Sequence, residues 1–319
     1  MTRYLVAGGC GFIGSHVVRR LLESGADEVR IIDNLSSGTR EHLREAADDP
    51  RVSIVVADLK DQAACIDVCA GVEHAFHFAS NPDIAKAMTD PTIDFWEGTL
   101  LTQNLLEGLR IHGVARLTYA SGSGVYGAAS DRLPTEDFGP LEPVSPYGAS
   151  KLACEAMISA YCHMFDLAAS CFRFANVIGE QQTHGVTYDF VRKLRSDPTR
   201  LEVMGDGTQE KAYVWIDDIV DALMLALPGA PGAFDVYNVS SGDYITVSEI
   251  AELVVAAMGL HDVEIAFGTG ARGWRGDVPI VKFDAEKLRR LGWGNAYSTR
   301  AAVERSIRAN IKETKPANS

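Results

Sequence analysis

Positive charge is scarce along this chain. Thirty Lys and Arg stand against 43 Asp and Glu, a formal net charge of −13, which argues against nucleic acid or an anionic membrane as partner. Long apolar runs are missing too, as are a signal peptide and a transit sequence, so a soluble, cytoplasmic protein is expected. The six cysteines, at 10, 65, 69, 154, 162 and 171, are scattered without a Cys-x-x-Cys, and several lie in apolar segments, which suits a reducing cytoplasm. His74 and His77 flank a strand-like run with no second ligand cluster near them, so histidines satisfied in the core or at a sheet edge are expected rather than a metal site. There are no internal repeats and no disordered linker; the polar tail after Asn310 is expected to fray.

What remains is enough for a large core. With 319 residues, 46% of them hydrophobic, the chain suits one cofactor domain plus a smaller lobe. Residues 3–7 are mostly apolar and β-prone, as a buried parallel strand would be. Phe12 and Ile13, Val17 and Val18, Leu21 and Leu22 follow at helical spacing, with Gly25 as a natural stop. Gly8, Gly11 and Gly14 therefore span a strand-to-helix turn, where such glycines permit a tight turn, backbone approach to a pyrophosphate and close helix–sheet packing. The pyrophosphate would rest on unpaired amides at the helix N-terminus. The next strand, 29–33, ends in Asp33, placed to accept hydrogen bonds from the adenosine ribose hydroxyls and to repel a 2′-phosphate. Arg40 and Arg44 follow that acid without replacing it, so NAD is expected over NADP. A third strand over 52–57 delivers Asp58 and Leu59 to the same sheet edge, where the acid would accept from the adenine amine. A fourth over 75–79 ends in Ala79 and Ser80, small enough for backbone to approach the cofactor. The fold class expected is α/β: a doubly wound parallel (Rossmann) sheet over 1–175, and a smaller α/β substrate lobe over 176–319 with some elements returning to the first domain.

Proton chemistry enters at Tyr147-Gly148-Ala149-Ser150-Lys151. Ser145 is a plausible N-cap and Pro146 suits the first turn of a helix, on which Tyr147 and Lys151, four apart, share a face. A phenol titrates near pH 10 in water, too weak a base at neutrality; a lysine cation and a positive nicotinamide ring both favour its phenolate. The lysine would also hydrogen-bond the nicotinamide ribose. Elsewhere, Asp217 and Asp218 open an apolar-periodic segment ending near Leu227 and read as helix capping. Thr246 and Glu249 form a capping-box pattern before a helix reaching Met258.

Together with Gly8-Gly9-Cys10-Gly11-Phe12-Ile13-Gly14-Ser15-His16, Asp33-Asn34-Leu35-Ser36-Ser37-Gly38, Val125-Tyr126-Gly127 and Arg173-Phe174-Ala175-Asn176-Val177-Ile178-Gly179, these motifs resemble the extended short-chain dehydrogenase/reductase superfamily, in its nucleotide-sugar epimerase branch typified by UDP-galactose 4-epimerase. The likeness continues through Gly205-Asp206-Gly207-Thr208 and Gly276-Asp277 and spans nearly the whole chain. It implies tightly held NAD, with Phe12, Ile13, Asn34, Ser36, Gly38, Leu59 and Asn104 joining the cofactor contacts, and a UDP-sugar bound between the two domains. Tyr147, or a serine relaying to it, would take the proton of the sugar 4-hydroxyl while the hydride of carbon 4 passes to NAD; the 4-ketose would turn and receive the hydride on its other face. The family has a Ser or Thr three residues before Val-Tyr-Gly, where this chain has Gly122. Ser123, or else Ser121, would substitute for that hydroxyl, or Tyr147 would contact the 4-hydroxyl directly. The 4,6-dehydratases of the superfamily carry Asp-Glu at the positions of Ser123 and Gly124, so dehydration is not expected here.

For the substrate, the resemblance places Asn176 near the sugar or its pyrophosphate. It puts Val186, Tyr188 and Arg192 in a segment capping the sugar and approaching uracil, and Val203 in a strand offering backbone to uracil. Lys211 faces the phosphates, Arg272 (or Arg275) the diphosphate and Asp277 the uridine ribose. A diphosphate needs fixed cations, and arginine supplies a preorganised fork. The sugar pair would be UDP-glucose/UDP-galactose, or UDP-glucuronate/UDP-galacturonate with Arg192 at the carboxylate. Gly122 and Gly124 would enlarge the pocket. A UDP-glucuronate decarboxylase, a dehydrogenase and a non-catalytic nucleotide-sugar sensor are the alternatives. Leu100, Leu101, Leu105, Leu106 and Leu109 on a helix over 92–112, with Met157, Tyr161 and Met164 on the next, present more apolar surface than one sheet face needs. The resemblance implies that these helices pair across a homodimer as a four-helix bundle, the alternative being packing beneath a lobe of the same chain.

Overall fold

The computed structural model describes residues 2–128, 133–230 and 232–313; the tail expected to fray lies, from residue 314 onward, outside the described residues. The chain forms two compact units. The first takes residues 1–125, 145–173 and 220–237, the second residues 126–144, 174–219 and 238–319. Relative to a single cut after residue 175, the second unit also claims 126–144 and the first takes back 220–237.

The first unit is built on a seven-stranded sheet: β1 (Arg3–Ala7), β2 (Glu28–Asp33), β3 (Val52–Val56), β4 (His74–His77), β5 (Arg116–Gly122), β6 (Ala168–Phe174) and β7 (Phe234–Val239). Their order is β7-β6-β5-β4-β1-β2-β3, and β1 pairs in parallel with both β2 and β4. Inner strands covered on both faces need apolar residues on both, and Leu5, Val6, Ala7, Ile31, Ile32, Ala75 and Phe76 are all fully buried. Strand order reverses between β1 and β4, and in such sheets the crevice beyond the carboxyl ends at that reversal is where ligands bind.

Helices α1 (Phe12–Glu23), α2 (Gln62–Val68), α3 (Leu100–His112) and α4 (Pro146–Phe165) follow the motif boundaries closely. Two strands end earlier than expected. β3 stops at Val56, and β4 at His77 because the amides of Phe78 and Ala79 both turn to the carbonyl of Ala7, at 2.9 and 3.2 Å. The helix expected over 92–112 contains a π turn, Phe95–Thr99, ahead of α3. It packs closely on α4: a Cβ at Gly98 would lie 2.5 Å from Ser150 Oγ, and that hydroxyl donates to the Asp94 carbonyl at 2.8 Å. The α3 leucines also face elsewhere than expected, since Leu101, Leu105, Leu106 and Leu109 sit in the core of their own unit. The exposed apolar side chains near the ends of α3 and α4 are Phe95, Trp96, Ile111, Met164 and Phe165.

In the second unit Asn176–Ile178 pairs with Tyr213–Trp215 and Arg200–Val203 with Glu264–Phe267, both in parallel. Helices Val186–Ser196, Val247–Ala257 and Thr299–Glu313 pack on one another. The Thr246–Glu249 capping box is formed. The aspartate pair is not a cap. Helix Ile216–Leu225 starts ahead of it; Asp217 accepts from the Trp215 indole at 3.0 Å, and buried Asp218 accepts from the Ala296 amide at 2.9 Å. Both still lie in the first turn, where negative charge suits the helix dipole.

Candidate active site

The turn between β1 and α1 leaves no room for side chains. Gly8 has φ +78°, and a Cβ there would stand 2.7 Å from the Ala79 amide nitrogen; at Gly14 it would stand 2.2 Å from the Gly8 carbonyl oxygen. Gly11 is the N-cap of α1, with no side-chain cap and no acid in the first turn, so the helix N-terminus, flanked by Phe12 and Ile13, offers its amides to an anion. The loop after β2 is pressed onto this turn: a Cβ at Gly38 would lie 2.6 Å from the Cys10 carbonyl carbon, and the Thr39 amide donates to the Cys10 carbonyl at 3.0 Å.

Asp33, buried at the end of β2, is aimed by backbone: Oδ2 accepts from the Cys10 amide and Oδ1 from the Leu35 amide, each at 2.9 Å. Beside it Asn34 donates to Asp58 Oδ2 at 3.1 Å and accepts from the Ser36 amide at 3.0 Å. Burial works against ionised Asp58, but the Lys60 amide, the Asn34 side chain and the Lys60 ammonium hold its carboxyl below the usual range. Asn104 is buried on α3 and spends its amide on the carbonyls of Leu59 and Lys60, at 2.9 and 3.2 Å, so it supports the Asp58–Leu59 turn from beneath. A glycine cradle for a diphosphate, with an acid and no cation at the end of β2, fits NAD.

The proton pair lies beside β5, beyond β4. Ser145 caps α4 by accepting from the Gly148 amide at 3.1 Å, with Pro146 in the first turn. Lys151 is buried; its Nζ donates to the Ala120 carbonyl at 2.8 Å and lies 5.1 and 5.5 Å from the ring centres of Tyr119 and Tyr147. Of these two phenols only Tyr147 is partly open, for Tyr119 is fully enclosed and burial pushes its hydroxyl well above the ordinary phenol range. Gly122, at the end of β5, faces Tyr147: a Cβ there would be 3.9 Å from its Cε1 and its Oη. Half-buried Ser123 opens a short 3-10 turn to Tyr126. Ser121 is committed elsewhere, donating to Glu155 Oε1 at 2.5 Å. Glu155 in turn receives a two-pronged bond from Arg173, at 3.0 and 2.7 Å, with both partners buried.

That ion pair escaped the sequence reading, although Tyr147, Lys151 and Glu155 recur at intervals of four along one helix. Burial pushes Cys65 and Cys69 up to about 12. His74 and His77 bond Thr118 and Thr102 hydroxyls, at 2.9 and 3.0 Å, and burial drives both histidines down to about 3.

In the second unit Lys211 and Asp277 meet at 2.6 Å, and Asp277 also accepts from the Gly273 amide at 3.0 Å. Lys211 is therefore countered by an acid rather than standing free for phosphate. Buried Val203 ends its strand with its carbonyl bonded to the Gly268 amide at 3.0 Å, and a Cβ at Gly205, two residues on, would lie 3.0 Å from the Arg272 carbonyl oxygen. Val203, Lys211, Arg272 and Asp277 are thus gathered in one region. Exposed Arg272 bonds the Arg275 carbonyl at 3.2 Å. Asn176 is exposed and donates to the Ala212 carbonyl at 3.2 Å. On helix Val186–Ser196, Val186 and Tyr188 are half-buried and Arg192 is exposed.

Comparison with known proteins gives a consistent picture. The model of the NAD dependent epimerase/dehydratase family matches residues 4–240. A UDP-glucose 4-epimerase of Mycolicibacterium smegmatis is 34% identical over 313 residues, 96% of this chain and 97% of its own. A solved UDP-galactose 4-epimerase superposes with a TM-score of 0.87 at 37% identity, over 98% of this chain and 100% of that one. A dTDP-glucose 4,6-dehydratase double mutant from Streptomyces venezuelae, with NAD bound, superposes with a TM-score of 0.89 at 29% identity, over 98% of each chain.

Proposed function

Because the chain belongs to the NAD dependent epimerase/dehydratase family, whose cofactor is NAD, we propose that it is a UDP-sugar 4-epimerase acting on UDP-glucose/UDP-galactose or UDP-glucuronate/UDP-galacturonate. The observation that carries this reading is a partly open phenol, Tyr147, beside the buried Lys151 ammonium, with no carboxylate at 123 or 124, where an eliminating enzyme needs one. Overall likeness to a dehydratase is a likeness of fold, and fold hosts many chemistries.

Gly8, Gly11 and Gly14 would hold the diphosphate of NAD, Asp33 its adenosine ribose and Lys151 its nicotinamide ribose. The chemistry that NAD supplies there is reversible acceptance of the hydride on sugar carbon 4. Tyr147 takes the 4-hydroxyl proton and gives it back, with the Lys151 ammonium 5.5 Å from the centre of its ring. Arg272 would meet the diphosphate, and Asp277, which holds Lys211, the uridine ribose.

Purified protein incubated with UDP-glucose, UDP-galactose, both UDP-hexuronates and the N-acetylated UDP-hexoses, followed by proton NMR, should show inversion at carbon 4 in at least one pair without net NADH. Carbon dioxide release from UDP-glucuronate would make it a decarboxylase, accumulating NADH a dehydrogenase, and binding without turnover a sensor. Each result contradicts the epimerase assignment.

The exposed Phe95, Trp96, Ile111, Met164 and Phe165 at the ends of α3 and α4 support assembly as a homodimer through these helices. Sedimentation at micromolar concentration should give twice the chain mass; a monomer refutes the assembly.

A further inference from the structure

Tyr147 is met, from the sheet side, by a residue without a side chain. Gly122 is buried, and among the described residues other than its two chain neighbours a Cβ built on it would find only Tyr147 within 4 Å, with Cε1 and Oη each at 3.9 Å. Its φ lies outside the left-handed range, so its backbone would accept any L residue. Other glycines of this unit are required by the chain itself. A Cβ would come within 2.7 Å of the Ala79 amide nitrogen at Gly8, 2.2 Å of the Gly8 carbonyl oxygen at Gly14 and 2.5 Å of Ser150 Oγ at Gly98. Gly124, two residues past Gly122, belongs with them, since its Cβ would stand 3.3 Å from Gly148 Cα and press the turn off α4. At 122 neither backbone conformation nor packing asks for glycine. What remains to ask for it is a bound molecule.

We infer that Gly122 is a specificity-determining position: its bare Cα keeps the phenol face toward β5 clear for the sugar, so that the 4-hydroxyl reaches Tyr147 with no side chain between them and a hexose-type ring, with its exocyclic carbon 6, fits beside it. The inference rests on the UDP-sugar reading above and assigns the choice of a six-carbon over a five-carbon sugar to one residue of the site. A hydroxyl donating to Tyr147 must approach to about 2.7 Å, which brings carbons 3 and 5 of the ring alongside. Carbon 5 carries carbon 6 in hexoses and hexuronates and only hydrogen in pentoses. A Cβ held at 3.9 Å from the same oxygen occupies that flank. Ser121 already gives its hydroxyl proton to Glu155, and Ser123 lies past Gly122, at the start of the following 3-10 turn.

Gly122→Ala tests this. A misplaced methyl in a fitted pocket is worth about ten-fold or more in discrimination. KM for the preferred UDP-hexose should rise by that factor and the hexose-to-pentose ratio of kcat/KM should fall with it, while melting temperature and NAD affinity stay at wild-type values. Gly122→Ser, of nearly the same bulk, should behave alike. A wild-type KM and selectivity in Gly122→Ala overturns the inference. So does a Gly122→Ser variant with raised kcat and unaltered KM, for then the position would want a proton-carrying hydroxyl and not space. If the wild type turns over no sugar, the epimerase reading fails on its own; calorimetry then still decides position 122. Loss of affinity for UDP-hexose but not for UDP in Gly122→Ala supports the inference, and equal loss or none defeats it.

Discussion

Tyr147→Phe should abolish epimerisation while leaving a folded protein that still binds its cofactor. General acid–base catalysis by a placed side chain contributes between about a hundred-fold and ten-thousand-fold, and here the same oxygen serves in both directions, so a loss of about a thousand-fold in kcat is expected. The change removes one oxygen and keeps the ring, whose edge carbons Cε1 and Cδ1 lie toward Gly122 and Gly124. Lys151 stays anchored to the Ala120 carbonyl. KM for the UDP-sugar and the NAD dissociation constant should therefore move little, so that the loss falls on kcat. Tyr119 is no substitute base, because burial makes its phenolate far harder to form. Undiminished turnover in Tyr147→Phe would remove the phenol as base, and the proposed mechanism with it.

The parts of this structure that could be read from sequence are those where local chemistry dictates geometry. The glycines of the first turn announce themselves because nothing larger fits: a Cβ at Gly14 would strike the backbone of its own turn. Ser145 and Pro146 mark the start of α4 for equally local reasons, a hydroxyl for an orphan amide and a ring that lacks one. Features set by distant packing were not legible. The π turn before α3 packs against Ser150, which reaches the Asp94 carbonyl, 56 residues away in the chain. Asp218 looks like a cap until its partner, the Ala296 amide, is known. Lys211 looks like a free cation until Asp277 is found against it. The α3 leucines show the same limit from the apolar side, since spacing reveals that a face is buried but not what buries it. Glycine at 122 was legible as an oddity, and only its neighbours distinguish it from glycine at 124.

Glu155→Ala carries the largest expected cost in stability. Its carboxylate and the Arg173 guanidinium are both almost wholly enclosed and joined by two hydrogen bonds, at 3.0 and 2.7 Å. Removing one member of such a pair strands the other charge in a medium that solvates it poorly, at about 3–5 kcal/mol. Chemical denaturation should show a loss of that size for Glu155→Ala, and a comparable one for Arg173→Met. Glu155→Met combined with Arg173→Met should recover much of the loss, because a well-packed apolar pair often replaces a buried ion pair at little cost. Activity should respond as well. Glu155 also holds the Ser121 hydroxyl, and the residue before Ser121 supplies the carbonyl that anchors Lys151. Loosening that end of β5 should lower kcat in the protein that remains folded, with a smaller change in KM. A stability loss below about 1 kcal/mol in Glu155→Ala, the range of an exposed ion pair, would mean that water reaches Arg173 and that Lys151 owes its position to the strand alone.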